Sequence, residues 1–240
     1  MKARYNMTKK FLILFAVLLL FVTAIPAFAT PIPQTKPFSG VPDMNGVLAF
    51  DKFDTHGGTW VLDSIQVKLN LETSGGTFKL DNDSELPASG TFFFGAKGTI
   101  SSTDVALLNS SLVPLAIPGQ AMAYHSEAFS LDPNVGDIGG DYSPLPPDGM
   151  SYTGHAETDT KSGFVGELFW AGYQGTGTYD INYEITQWLT YGGIGGIEYA
   201  VTPVSASGDV EVIYEYHIIP EPATICLLGF GALSLFRKKK

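Results

Sequence analysis

Three stretches of this chain alternate apolar and polar side chains with a period of two. Ile65, Val67, Leu69 and Leu71 interleave with Ser64, Gln66, Lys68, Asn70 and Glu72. Tyr179, Ile181, Tyr183 and Ile185 interleave with Asp180, Asn182, Glu184 and Thr186. Val210, Val212, Tyr214, Tyr216 and Ile218 interleave with Asp209, Glu211, Glu215 and His217, and Ile213 alone breaks the polar side. Successive side chains of a strand point to opposite faces, so such a segment buries one face and wets the other. That is the pattern of antiparallel sheets, which can face water on one side. Weaker strands are predicted at 47–53, 77–80, 91–94 and 164–170. Turn signals separate them at His56-Gly57-Gly58, Ser74-Gly75-Gly76, Gly95-Ala96-Lys97-Gly98, Gly175-Thr176-Gly177 and Ser207-Gly208-Asp209, where glycine supplies φ > 0 at little cost. No amphipathic helix is legible between the strands. The expected fold is all-β, a single antiparallel β-sandwich. Its expected core is Phe50, Trp60, Ile65, Val67, Leu69, Tyr179, Ile181, Val210 and Val212. Residues 132–149 hold four prolines, four glycines and four aspartates, and read as a long surface loop.

The two ends have a different composition. Lys2, Arg4, Lys9 and Lys10 precede an unbroken apolar run over 11–22, and Ala27 and Ala29 are the small residues a signal peptidase requires. Residues 1–29 read as a signal peptide, with cleavage after Ala29 leaving Thr30 first. Pro31, Pro33, Pro37 and Pro42 make 30–46 an extended lead, and 47–219 is the predicted sandwich domain. The tail 220–240 runs Pro220-Glu221-Pro222, then the apolar segment 223–236, then Arg237, Lys238, Lys239 and Lys240. This order resembles the PEP-CTERM sorting signal. The resemblance implies an exosortase, a membrane-embedded cysteine protease that cuts near Pro-Glu-Pro and releases or transfers the exported part. The four cations hold the C-terminus on the cytoplasmic side. The apolar run is shorter than the roughly 20 residues that comfortably span a bilayer, which disfavours a permanent anchor. The implied route is export across the inner membrane, transient retention there through 223–236, and release to the cell surface or extracellular matrix.

Charge narrows the partners. Of fourteen Lys and Arg, four lie in 1–29 and four in 220–240, leaving six in 30–219 against twenty-three of the twenty-four acids, a formal −17. A surface of that sign repels nucleic acid and anionic lipid. Cys226, the one cysteine, lies in the tail. The domain therefore holds together by packing, with no disulfide.

A second resemblance lies in Val47-Leu48-Ala49-Phe50-Asp51-Lys52-Phe53-Asp54, followed by Gly58-Thr59-Trp60 and the alternating strand to Leu71. It looks like the opening of a choice-of-anchor E domain, with Trp60 where an aliphatic is more usual. Tyr173-Gln174-Gly175-Thr176-Gly177-Thr178 and the segment 208–216 are similar to that domain's closing strands. Such domains stand before a PEP-CTERM or alternative anchor. The group carries a fold expectation and no activity.

Candidates for chemistry are sparse. His125-Ser126-Glu127 and His155-Ala156-Glu157 each place two ligand types on one strand face, a spacing from which either pair could reach a metal. Asp81 and Asp83, which flank Asn82, and Asp132 and Asp137 offer oxygen ligands of the type calcium takes. They fit no EF-hand spacing, and a solvated Asp/Asn/Gly turn is the default account. There is no Gly-x-Ser-x-Gly elbow, no HExxH helix and no thiol in 30–219, so no catalytic residue and no cofactor are assigned. Trp170, Tyr173, Trp188 and Tyr191 are candidates to stack on sugars, with core packing the alternative. The reading is a non-enzymatic exported surface or matrix protein. The alternatives are a carbohydrate-binding module for the producer's exopolysaccharide, favoured by an aromatic row on a sheet face, and a secreted enzyme, favoured by a deep acidic cleft.

Overall fold

The computed structural model describes residues 29–115, 120–134, 142–192 and 196–219. The segment 1–28 read as most of a signal peptide, with Ala27, the sorting tail from Pro220 to Lys240, Asp137 and Asp141 lie outside the described residues. Strand makes up 66% and helix 6% of what is described, so the all-β expectation holds. The strands are β1 (Thr30–Gly40), β2 (Met44–Asp51), β3 (Trp60–Ser74), β4 (Thr77–Asn82), β5 (Ala88–Ser101), β6 (Ala121–Leu131), β7 (Gly149–Thr153), β8 (Glu157–Phe164), β9 (Thr178–Tyr191), β10 (Ile197–Thr202) and β11 (Ser205–Ile218). Three sheets form, ordered β1-β11-β3-β8, β10-β4-β7 and β2-β9-β5-β6.

The chain divides into two compact units. The larger takes Ile32–Phe53 and Ser64–Tyr214, and the smaller takes Asp54–Asp63 with residues before Ile32 and after Tyr214. In the larger unit the period-two reading becomes the core. Ile65, Val67, Leu69, Leu71, Tyr179, Ile181, Ile185, Val210, Val212 and Tyr214 are buried, together with Phe50, Phe78, Phe92 and Phe94. Each such side chain contributes about 1.5–3 kcal/mol by leaving water. Phe38 of β1 stacks on Tyr183 of β9 at 4.8 Å. A side chain added at Gly98 of β5 would meet Leu69 and Leu71 of β3. In the smaller unit Trp60 is half-buried rather than core, stacked on Tyr216 at 4.4 Å with His56 4.0 Å away. His217 Nδ1 lies 2.7 Å from Asp63 Oδ1.

Several expectations need correction. Residues 30–46 are not a lead outside the sheets, because Thr30–Gly40 is the edge strand β1. Pro31, Pro33 and Pro37 share one parity, so their missing N–H groups all fall along one side of the strand. An edge strand tolerates that because one of its sides is unpaired. The side-chain amide of Gln34 then ties β1 to β2, donating to the Asp51 carbonyl at 2.9 Å and accepting from its N–H at 2.8 Å. The segment 164–170 is not a strand: β8 ends at Phe164, and a 3₁₀ turn (Glu167–Phe169) leads into a one-turn helix (Trp170–Tyr173). Gly95 to Gly98 is not a turn but the middle of β5. A Cβ on Gly95 would collide with the Ala123 carbonyl of neighbouring β6, so glycine is there for close backbone approach. The same holds for Gly208 inside β11, whose added Cβ would collide with the Asn70 carbonyl.

Candidate functional sites

The outer face of the β2-β9-β5-β6 sheet is where the fold gathers uncommitted side chains. On β9, Tyr179, Ile181 and Ile185 point inward, so Asn182, Glu184, Thr186 and Trp188 point out. Glu184 stands opposite Asn45 of β2 and Thr99 of β5. Asn182 stands opposite Val47 of β2 and Ser101 of β5. These six residues, with Gly46 and Tyr183, line an open depression of about 380 Å³. Farther along β9, Trp188 and Tyr124 stand opposite Gly95 from its two sides. Their rings meet over it at 4.4 Å. Phe93 lies parallel to the indole at 5.7 Å, and the Lys97 ammonium sits 4.2 Å from its centroid. The aromatic group thus covers a bare glycine and borders the polar depression.

Of the four aromatic candidates, Trp188 is the one on this face. Tyr173 is fully buried, Trp170 donates its indole N–H to the Val165 carbonyl at 3.0 Å, and Tyr191 packs against Phe78 and Tyr199. Sequence reasoning missed Asn45, Thr99 and Ser101. The polar parity of β9 was visible, but its register against β2 and β5 is set by long-range pairing.

The two His-x-Glu pairs come together. His125 Nε2 lies 3.6 Å from Glu127, and Nδ1 lies 3.4 Å from Glu157 on β8. The His125 ring stacks on Tyr152 of β7 at 4.9 Å, and His155 meets both rings edge-on. Burial first, with the charges of Glu157 and Glu127 adding to it, raises the Tyr152 hydroxyl pKa above its usual value. No group of three or more His, Cys, Asp or Glu among the described residues is arranged to hold a metal.

The aspartate cluster is knitted into the structure. Asp81 is 1% exposed, and its Oδ2 accepts from the Ser143 N–H at 2.5 Å. The Asn82 side chain donates to the carbonyls of Leu86 and Asp132 at 2.9 and 2.7 Å. The Asp83 N–H donates to the Gly196 carbonyl. The bonds to Asp132 and Ser143 fasten the 132–149 segment to β4 at those two residues, and the clustered polar residues serve as turn chemistry.

A third polar group lies in the core. Tyr214 donates its hydroxyl to the Asp51 carbonyl at 3.1 Å and so accepts from Tyr179 at 2.8 Å. Tyr173 donates to the Ala106 carbonyl at 2.9 Å. Burial is the main cause that pushes Tyr214 up to about 12 and drives Tyr173 and Tyr179 higher still. Unfolded tyrosines ionise near pH 10. Above that pH the native state therefore holds more protons, and stability falls as pH rises from about 10 through 12. Phenolate absorbance from these three rings should appear only together with loss of the fold. Reversible ionisation of all tyrosines near pH 10 with the fold intact would contradict this.

The last strand leads directly toward the sorting signal. β11 ends at Ile218, and the Ile219 N–H donates to the Thr59 carbonyl at 2.8 Å. Pro220 follows with no spacer.

Comparison with known proteins bears on this end. A search of curated proteins finds no match. Among solved structures the chain is similar to one of infectious bursal disease virus, Gx strain, at 9% identity and TM-score 0.19, covering 82% of this chain and 43% of that one. A T13 particle of the same virus gives 11% identity and TM-score 0.12, covering 80% and 41%. The chain thus spans about two-fifths of the length of those chains, and likeness this remote bears on neither fold nor function. The model of the PEP-CTERM protein-sorting motif matches residues 219–240. The motif marks the chain as an exported protein sorted by an exosortase.

Proposed function

We propose that the chain is a non-enzymatic surface or matrix protein, an acidic β-sandwich carried out by an N-terminal signal and detached from its tail at Pro220-Glu221-Pro222. The observation that carries this reading is the sorting motif, matched from residue 219, one residue after the last strand ends. Folded domain and processing signal are therefore adjacent, and cutting there frees the whole sandwich. The resemblance of 47–71 and 208–216 to a choice-of-anchor E domain agrees with a body placed directly before such a tail. The second reading, a carbohydrate-binding module, is favoured by the uncommitted side chains on the outer face of the β2-β9-β5-β6 sheet. Mass spectrometry of the exported form tests the first reading, which expects the tail to be missing.

A further inference from the structure

We propose that the outer face of the β2-β9-β5-β6 sheet is a binding site for a neutral polysaccharide chain lying along β9. The proposal rests on the second, binding reading and is independent of the sorting reading. Several asparagines elsewhere on the fold are spent internally: Asn70 bonds Asp209 and Thr160, Asn82 bonds two carbonyls, and Asn109 caps its own turn. By contrast, among the described residues no hydrogen bond engages the side chains of Asn45, Thr99, Ser101, Asn182 or Glu184. These five converge on one depression of about 380 Å³. Two amides, two hydroxyls and a carboxylate supply donors and acceptors together, which suits a ligand that is itself covered in hydroxyls.

The placement excludes other occupants. β9 is paired on both sides, by β2 and by β5. Over residues 182–185, where the depression lies, both of its sides are taken, so a peptide cannot add to β9 as a strand there. Lys97 on this face is outnumbered by Glu184, Asp180 and Asp51, which share its outward parity, and the domain as a whole carries a large acidic excess. Anionic polymers are repelled and an uncharged one is not. The face is also long. Trp188 lies four residues beyond Glu184, about 14 Å along an antiparallel strand, so a ligand reaching from the depression to the indole spans several sugars. The Lys97 ammonium over the indole is on a flexible stem and occupies the position a sugar ring would take.

The test is affinity electrophoresis of the full chain, solubilised in a non-glycosidic detergent, through gels containing dextran, a β-1,3-glucan or a galactomannan, with alginate and heparin as anionic comparisons. At least one neutral polymer should retard the chain and neither anionic polymer should. The double variant Asn182→Ala/Glu184→Gln should lose at least tenfold in affinity, while Ser162→Ala, exposed on β8, should bind as the parent does. If the double variant does not fold, Asn45→Ala on the exposed edge strand β2 decides alone, with an expected loss of several-fold. Retardation by none of the neutral polymers, retardation by the anionic ones instead, or parental affinity in a folded Asn182/Glu184 or Asn45 variant would each overturn the proposal. Because the full chain is used, none of these outcomes bears on C-terminal processing.

Discussion

Replacing Pro220, Glu221 and Pro222 with alanine is expected to leave export intact and stop C-terminal processing. The tail combines two separable parts. On the proposed reading, the apolar segment 223–236 with its four terminal cations retains the chain at the membrane, because cations stay on the cytoplasmic side. The Pro-Glu-Pro part controls backbone shape. Neither proline can donate to a helix or a ladder, and the residue before a proline is pushed toward extended conformations. On the proposed reading the protease reads an extended backbone, which this composition favours, just past the bond from the Ile219 N–H to the Thr59 carbonyl. Three alanines lift both restrictions and are good helix formers, so the variant is expected to lose the bias toward extended backbone, with membrane insertion unchanged. In the native host it should accumulate as a longer, membrane-bound form. Removing Arg237–Lys240 should act differently, weakening retention before processing. Release of the triple variant at the rate of the parent would mean that the tail is an ordinary anchor.

The second large effect is expected in the core. Phe78 of β4 is fully buried, with the rings of Phe92, Tyr191 and Phe94 at 5.3, 5.9 and 6.2 Å. Truncation of a buried phenylalanine to alanine costs about 3–5 kcal/mol through lost transfer and residual cavity. Loss of aromatic pairs is part of that cost. Domains of this size are stable by only about 5–15 kcal/mol, and residues 30–219 have no cysteine to staple them. Phe78→Ala should therefore lose a large share of total stability, read as a drop in the denaturant midpoint at unchanged slope. Phe78→Leu, which keeps most of the volume, should lose less than half as much. A cost under about 1 kcal/mol for the alanine variant would mean that this cluster does not carry the packing assigned to it.

The strands that carry a clean alternation were legible, and the rest failed for identifiable reasons. β3, β9 and β11 each have one dry and one wet face, so the period is written into the residues. β6 runs Ala121-Met122-Ala123-Tyr124-His125 and is exposed at Ser126–Ala128, with no apolar period to read. β10 is exposed along nearly its whole length, and β7 is five residues at the end of a proline-rich segment. Gly95 and Gly208 read as turns because glycine in a sequence does not say whether it supplies a positive φ or room for a neighbouring backbone. Register explains the site as well. Asn45, Thr99 and Glu184 are far apart in the chain and adjacent across three strands, a juxtaposition no local pattern encodes. The sorting tail is the reverse case. Its order of rigid, apolar and cationic parts is contiguous, so the sequence alone is enough to recognise it.

The central claim is that the folded domain is cut from its tail, and the intact mass of the protein recovered outside the inner membrane tests it most directly. The mass should correspond to a chain that ends at or near Pro220-Glu221-Pro222 and lacks the apolar segment 223–236 and Arg237–Lys240. A recovered protein that runs through Lys240 would contradict the account.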